Sequence, residues 1–231
     1  MTPSLSLLAA LVAGLLAVER KAFLQAMFSR PLVAGTLLGL ALGRPLEGLG
    51  LGGALELFFL GAVNIGASLP DNDLFTTSGA VCCAGGLASS APLPVEATLA
   101  VSLLLALPVA KLGRSVDRLN EHLNGWAAVH AQRRGKVRAR LRYNLFGLWL
   151  PFMATGAMAL GGWLVGAFAL PPLFAEGPPA LPRGLAVVWS AFLMVAAATA
   201  LRSIRTLRAG AYAAAAAAVA AGAQALRTFA F

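Results

Sequence analysis

The sequence predicts an all-α polytopic membrane protein with about 6–8 membrane segments, and three observations predict it. Hydrophobic residues make up 59% of the 231 positions and charged residues only 12%, where soluble domains carry about 25% charged. The mean hydropathy is +0.79. The apolar residues gather in runs approaching the roughly 20 residues that a helix needs to cross a bilayer. Residues 1–231 read as a single membrane domain: a motif-bearing half at 4–110, a basic cytoplasmic loop at 111–142, and C-terminal helices at 143–226.

The first run, 4–18, has no Lys or Arg before it, and Arg20 and Lys21 follow it at once. A cleaved signal peptide carries its charge in front. The positive-inside rule therefore places the N-terminus outside and Arg20 at the cytoplasmic face. Residues 19–30 place Phe23, Met27 and Phe28 on one side, which suits a short amphipathic helix in the interface. Pro31 ends it. The run from Leu32 to Gly43 is too short for a comfortable crossing, and with 49–63 it forms a pair of glycine-interrupted segments. That pattern predicts a re-entrant hairpin over 31–63, of the kind that lines transporter sites. A tilted hairpin of two full spans with close glycine packing is the alternative.

Glu56 lies inside the second of these segments, between GGAL and LFFLG, which puts a carboxyl near mid-membrane. An ionisable group there costs roughly 2.5–3.5 kcal/mol and usually faces a cavity or a partner. Just beyond, Asn64, Gly66, Pro70, Asp71 and Asp73 break the helical pattern and gather hydrogen-bonding groups. Irregular backbone at such depth is tolerated only against protein or water. Proton transfer, cation binding and sugar binding all remain open for these acids; for a sugar, carboxylates and an amide are the expected partners of hydroxyls. Capping of the following helix is the structural alternative for Asp71 and Asp73.

Residues 74–92 are small and weakly hydrophobic, as expected of a helix wrapped by protein. Cys82 and Cys83 stand there as packing residues, with no other cysteine in the chain. Residues 93–110 form a stronger span, broken near Pro108. Lys111 to Arg142 then hold nine of the eighteen basic residues against Asp117 and Glu121, which marks the stretch as cytoplasmic. It is either a solvated, lipid-touching helix or a docking surface for a soluble partner. No charge occurs from Tyr143 to Leu170. PPLFAEGPPALPR makes an outside loop, and a span over 184–201 returns the chain to Arg202, Arg205 and Arg208 inside. A final alanine-rich helix, 209–226, leaves the C-terminus outside.

The net charge of +9 points to topology and anionic lipid head groups, and no aromatic-interleaved basic surface suggests nucleic acid. His122 and His130 lie far from any nucleophile or metal-ligand pattern, and no GxSxG, HExxH, Walker or GxGxxG motif is present. No catalytic residue, metal or cofactor is therefore expected.

The order AVERKAFLQAMFSRPLVAGTLLGLALG, GGALELFFLG, NIGASLPD resembles membrane subunit IIC of the mannose/sorbose-type phosphoenolpyruvate-dependent sugar phosphotransferase system, specifically over about 11–74. The resemblance implies a non-catalytic sugar permease subunit in the bacterial inner membrane. It implies a IID membrane partner, cytoplasmic IIA and IIB units with the phosphohistidine on IIB, and a trimer of IIC–IID pairs. It carries substrate binding to Glu56, Asn64 and Asp71, with Gln25 and Asp73 beside them. A sensor or scaffold that has kept the fold and lost uptake is the alternative. A lipid-modifying intramembrane enzyme needs a nucleophile or metal set that the sequence does not offer.

The charge asymmetry makes a topological prediction. A cysteine introduced at Gly135 is expected to resist impermeant thiol reagents in intact cells and to react after permeabilisation. Strong labelling from outside would reverse the arrangement.

Overall fold

The computed structural model describes residues 3–22, 24–60, 71–134 and 137–203. Asn64 and the alanine-rich stretch 209–226 lie outside the described residues. Among the described residues every regular element is helical: α1 (Pro3–Lys21), α2 (Pro31–Ala41), α3 (Pro45–Phe59), α4 (Asp73–Ser90), α5 (Val95–Ala106), α6 (Ala110–Arg134), α7 (Val137–Leu164), α8 (Leu170–Ala175) and α9 (Leu181–Ser203). A 3-10 turn at Leu107–Val109 joins α5 to α6, and a π-helical stretch at Val165–Ala169 joins α7 to α8.

The centre of the bundle is α4. Every residue from Leu74 to Leu87 is buried, and α1, α2, α3, α5 and α7 all pack against it. Its small side chains permit this. A Cβ on Gly162 of α7 would lie 2.5 Å from the Gly79 carbonyl oxygen, and one on Gly166 only 2.0 Å from that of Cys83. Helices in lipid associate through this kind of close backbone approach, because no hydrophobic gain draws them together. Cys82 and Cys83 are free and buried, as packing residues should be. The small-residue surface of α4 is thus covered by the chain's own helices, in keeping with a helix wrapped by protein.

The segments preceding α4 form a hairpin. Pro31 and Pro45 occupy the first turns of α2 and α3, where their missing N–H is not needed. Between them Gly43 adopts φ +67°. Its N–H reaches the Leu40 carbonyl at 3.0 Å and the Arg44 N–H reaches that of Gly39 at 2.7 Å, a Schellman closure of α2. Gly35 and Gly39 then face Gly52 and Gly48, and a Cβ on Gly48 would sit 2.3 Å from the Gly35 oxygen. The eleven residues of α2 measure about 16 Å at 1.5 Å per residue. At the tip, Arg44 pairs with Glu47 at 3.4 Å and donates to the Ala88 carbonyl near the end of α4 at 3.0 Å.

Several local expectations are corrected. No interface helix forms over 19–30. Helix α1 continues to Lys21, Leu24, Gln25 and Met27 take positive φ values of 64°, 47° and 64°, and the Ser29 N–H turns back to the Glu19 carboxylate at 3.1 Å. Left-handed backbone at three such positions cannot continue an α-helix. Residues 111–134 form the helix considered for this stretch, α6, but not one solvated all round: its inner face buries Gly113, Asp117, Asn120 and Ala127 against α4 and α7. The loop expected over PPLFAEGPPALPR is shorter, because its first part is α8.

Among the described residues three helical runs are long and apolar enough to cross a membrane: Val95–His130, Leu145–Ala175 and Leu181–Leu201. The first has 36 residues, about 54 Å, well beyond the hydrocarbon thickness of about 30 Å.

The glycine contacts generate a stability prediction. Gly166→Ala and Gly48→Ala each force a methyl into backbone and should lower stability in detergent by about 1–3 kcal/mol. Gly161 meets nothing within 4 Å, so Gly161→Ala should be neutral or gain up to about 1 kcal/mol. Thermal denaturation of the three variants checks the ordering; equal stabilities would contradict the packing described.

Candidate functional site

The polar side chains of the bundle gather at the end where α1 finishes and α4 begins. Asn72 caps α4: its backbone is extended, with φ −82° and ψ 97°, and its Oδ1 accepts from the Phe75 N–H at 3.0 Å. The capping role considered for Asp71 and Asp73 thus falls mainly to the residue between them. Within the first turns, the hydroxyls of Thr76, Thr77 and Ser78 donate to the carbonyls of Asn72, Asp73 and Leu74 at 2.9, 2.8 and 2.8 Å. Three buried hydroxyls are therefore satisfied inside the helix itself.

Charges on three helices converge on this cap. The Arg20 guanidinium, in the last turn of α1, pairs with Asp73 and donates to Asn72 Oδ1 at 3.2 Å. Asn72 in turn donates from Nδ2 to Asp117 Oδ2 of α6 at 2.9 Å. Lys21 Nζ holds the other Asp117 oxygen at 2.9 Å. Arg114, one turn earlier on α6, lies 2.8 Å from Asp71 Oδ1 as a charge contact without hydrogen-bond alignment. Gly113 permits the approach, since a Cβ there would come within 2.7 Å of the Asn72 Cβ. Three cations thus meet three anions, which matters because a half-buried charge left alone is far costlier than a pair.

Glu56 is held separately. It lies three residues before the end of α3, at the foot of the hairpin. Arg30 Nη1 is 3.5 Å away, and the Leu32 N–H donates to the carboxylate at 3.4 Å. Both contacts are long. They set a negative charge at the N-terminus of α2, where free N–H groups and the helix dipole favour it, and leave the carboxylate room for another donor. Among the described residues no hydrogen bond or ion pair joins Glu56 to Asp71 or Asp73. Gln25 is exposed on the irregular connection after α1, away from these contacts.

The residues not singled out from the sequence are Asn72, Arg20, Lys21, Arg114, Asp117 and Asn120. For the three on α6 the signal was the spacing of Gly113, Asp117, Asn120 and Ala127, one helical stripe hidden in a charged stretch; for Asn72, Arg20 and Lys21 the sequence carries none. A cavity of about 360 Å³ between α4, α5 and α7 is lined by Gly79, Cys83, Ser102, Met158 and Gly162 among others. Its walls are almost wholly apolar, which suits a hydrocarbon better than a hydroxylated ligand. Among the described residues no group of three His, Cys, Asp or Glu could hold a metal ion.

This helical arrangement has known counterparts. A solved chain described as a membrane protein superposes with TM-score 0.71 at 23% identity, covering 100% of this chain and 97% of that one. A cryoEM structure of the mannose transporter ManYZ with microcin E492 superposes with TM-score 0.61 at 23% identity, covering 96% and 87%. At that identity the likeness concerns the fold. In sequence, the sorbose-specific EIIC component of Klebsiella pneumoniae is 29% identical over 181 residues, 75% of this chain and 64% of that protein. The sorbose-specific EIIC component of Lacticaseibacillus casei is 34% identical over 132 residues, 57% of this chain and 43% of that one. The chain therefore spans less than two thirds of the length of these relatives. The model of the family described as the PTS system sorbose-specific IIC component matches residues 5–225, and this chain, a helical membrane protein, belongs to that family.

Proposed function

We propose that this chain is the sugar permease subunit of a mannose/sorbose-type phosphotransferase system in a bacterial inner membrane. It binds a hexose or amino sugar and carries it to the cytoplasmic face, where the IIB subunit phosphorylates it. It pairs with a IID membrane subunit, in a trimer of such pairs served by IIA and IIB. The observation that carries this reading is the family match over 5–225. The fold shared with the mannose transporter ManYZ supports it.

In this reading the α2–α3 hairpin is the re-entrant element. Its foot at Arg30 and Glu56 and its tip beside Ala88 span one side of α4, and both feet return to the end of the bundle that holds Arg20. That end faces the cytoplasm, both termini lie outside, and the chain has 6–8 membrane segments in all. Glu56, Asn64 and Asp71 accept or share the sugar's hydroxyl hydrogen bonds. Asp73 and Gln25 border the site, with Asp73 chiefly positioning α4 through Arg20.

Uptake of radiolabelled mannose and sorbose, corrected for the amount of protein in the membrane, tests the site. Charge-assisted hydrogen bonds contribute about 1.5–3 kcal/mol, so Glu56→Gln and Asp71→Asn should each weaken sugar affinity about ten- to hundredfold. Arg30→Gln removes the partner of Glu56 and leaves the carboxylate. It should change affinity less than about fivefold, since an exposed ion pair contributes about 0–1 kcal/mol. Wild-type affinity in both acid variants would remove these residues from the site. Absence of uptake by the wild-type complex would favour a sensor or scaffold.

A further inference from the structure

The inner face of α6 carries two buried polar atoms that hydrogen bonds among the described residues leave unused. Asp117 spends both oxygens, on Lys21 and on Asn72. On either side of it, at spacings of three residues and so within about 60° on the helix surface, stand Arg114 and Asn120. Asn120 is only 3% exposed. Its Oδ1 is buried and has no hydrogen-bond partner among the described residues, and the same holds for Arg114 Nε. One is an acceptor without a donor and the other a donor without an acceptor. Native structures seldom leave such atoms without a reason.

The chemistry of the pair narrows what meets them. A hydroxyl both donates and accepts, so a polyol satisfies the amide oxygen and the guanidinium N–H together. An anion would satisfy only Arg114, and a cation only Asn120. The neighbouring charges already cancel, with Arg20, Lys21 and Arg114 against Asp71, Asp73 and Asp117, which again favours a neutral guest. We infer that α6 forms a second wall of the sugar path, with Asn120 Oδ1 accepting from one sugar hydroxyl and Arg114 Nε donating to another. This inference rests on the permease reading and adds to it a helix that the family-like motifs do not reach.

The test separates a binding role from a structural one. Asn120→Leu keeps the approximate volume and removes a buried polar group that has no internal partner. If the amide were only structural, the variant would be as stable as wild type or more so, with unchanged uptake. The inference expects unchanged or higher thermal stability in detergent, with the KM for labelled mannose or sorbose raised about three- to tenfold, the value of one uncharged hydrogen bond. It also expects the stabilisation of the complex by the transported sugar to weaken in parallel. Asn120→Ala is read in the same way should the leucine variant fail to accumulate. Unchanged KM and unchanged sugar stabilisation, at normal protein amount in either variant, overturn the inference and leave the permease reading intact. A wild-type complex that moves neither sugar overturns both.

Discussion

The constraint on which the rest of the structure depends is that α4 has no outer face. From Leu74 to Leu87 each residue is covered, so its neighbours must approach on every side. That is possible because the helix is written mostly in Gly, Ala, Ser, Thr and Cys. Its partners answer with small residues at the same heights, Gly162 at Gly79 and Gly166 at Cys83. The π-helical stretch at Val165–Ala169 falls at this contact, and such interruptions are frequent at functional sites. The hairpin repeats the principle, glycine against glycine, on another flank of the same helix.

A helix so enclosed has a problem at its N-terminus. Free N–H groups and two partly buried carboxylates meet there, and they find partners inside the chain. The solution recruits the last turn of α1 and the first turns of α6 into one charge-balanced network around Asn72. The network also orders the bundle, since Arg20–Asp73 and Lys21–Asp117 fix which ends of three helices lie together. A site placed beside it inherits rigid walls and a near-neutral field. That is a suitable setting for recognising an uncharged, hydroxyl-rich ligand by directed hydrogen bonds.

Much of this was legible in the sequence where the signal is local. The apolar runs, the short glycine-broken pair, the small-residue character of 74–92 and the packing role of Cys82 and Cys83 all follow from composition within a window. What was not legible depends on distant partners. Arg20 and Asp73 are 53 residues apart, and nothing near either announces the other. The high charge of Lys111 to Arg142 reads as a solvated helix or docking surface and masks the buried stripe through Asp117 and Asn120. The turn after α1 could not be foreseen, because its left-handed residues are Leu24, Gln25 and Met27 and not glycines.

The most direct measurement of the central claim, that the enclosed α4 is anchored by charges from α1, is a double-mutant cycle on Arg20→Gln and Asp73→Asn. Stability is read as thermal denaturation of the complex in detergent. If the two side chains neutralise each other in a half-buried setting, each single change strands a charge, and the double change costs less than the sum by about 0.5–3 kcal/mol. Additivity within about 0.3–0.5 kcal/mol, the behaviour of independent sites, would contradict the account.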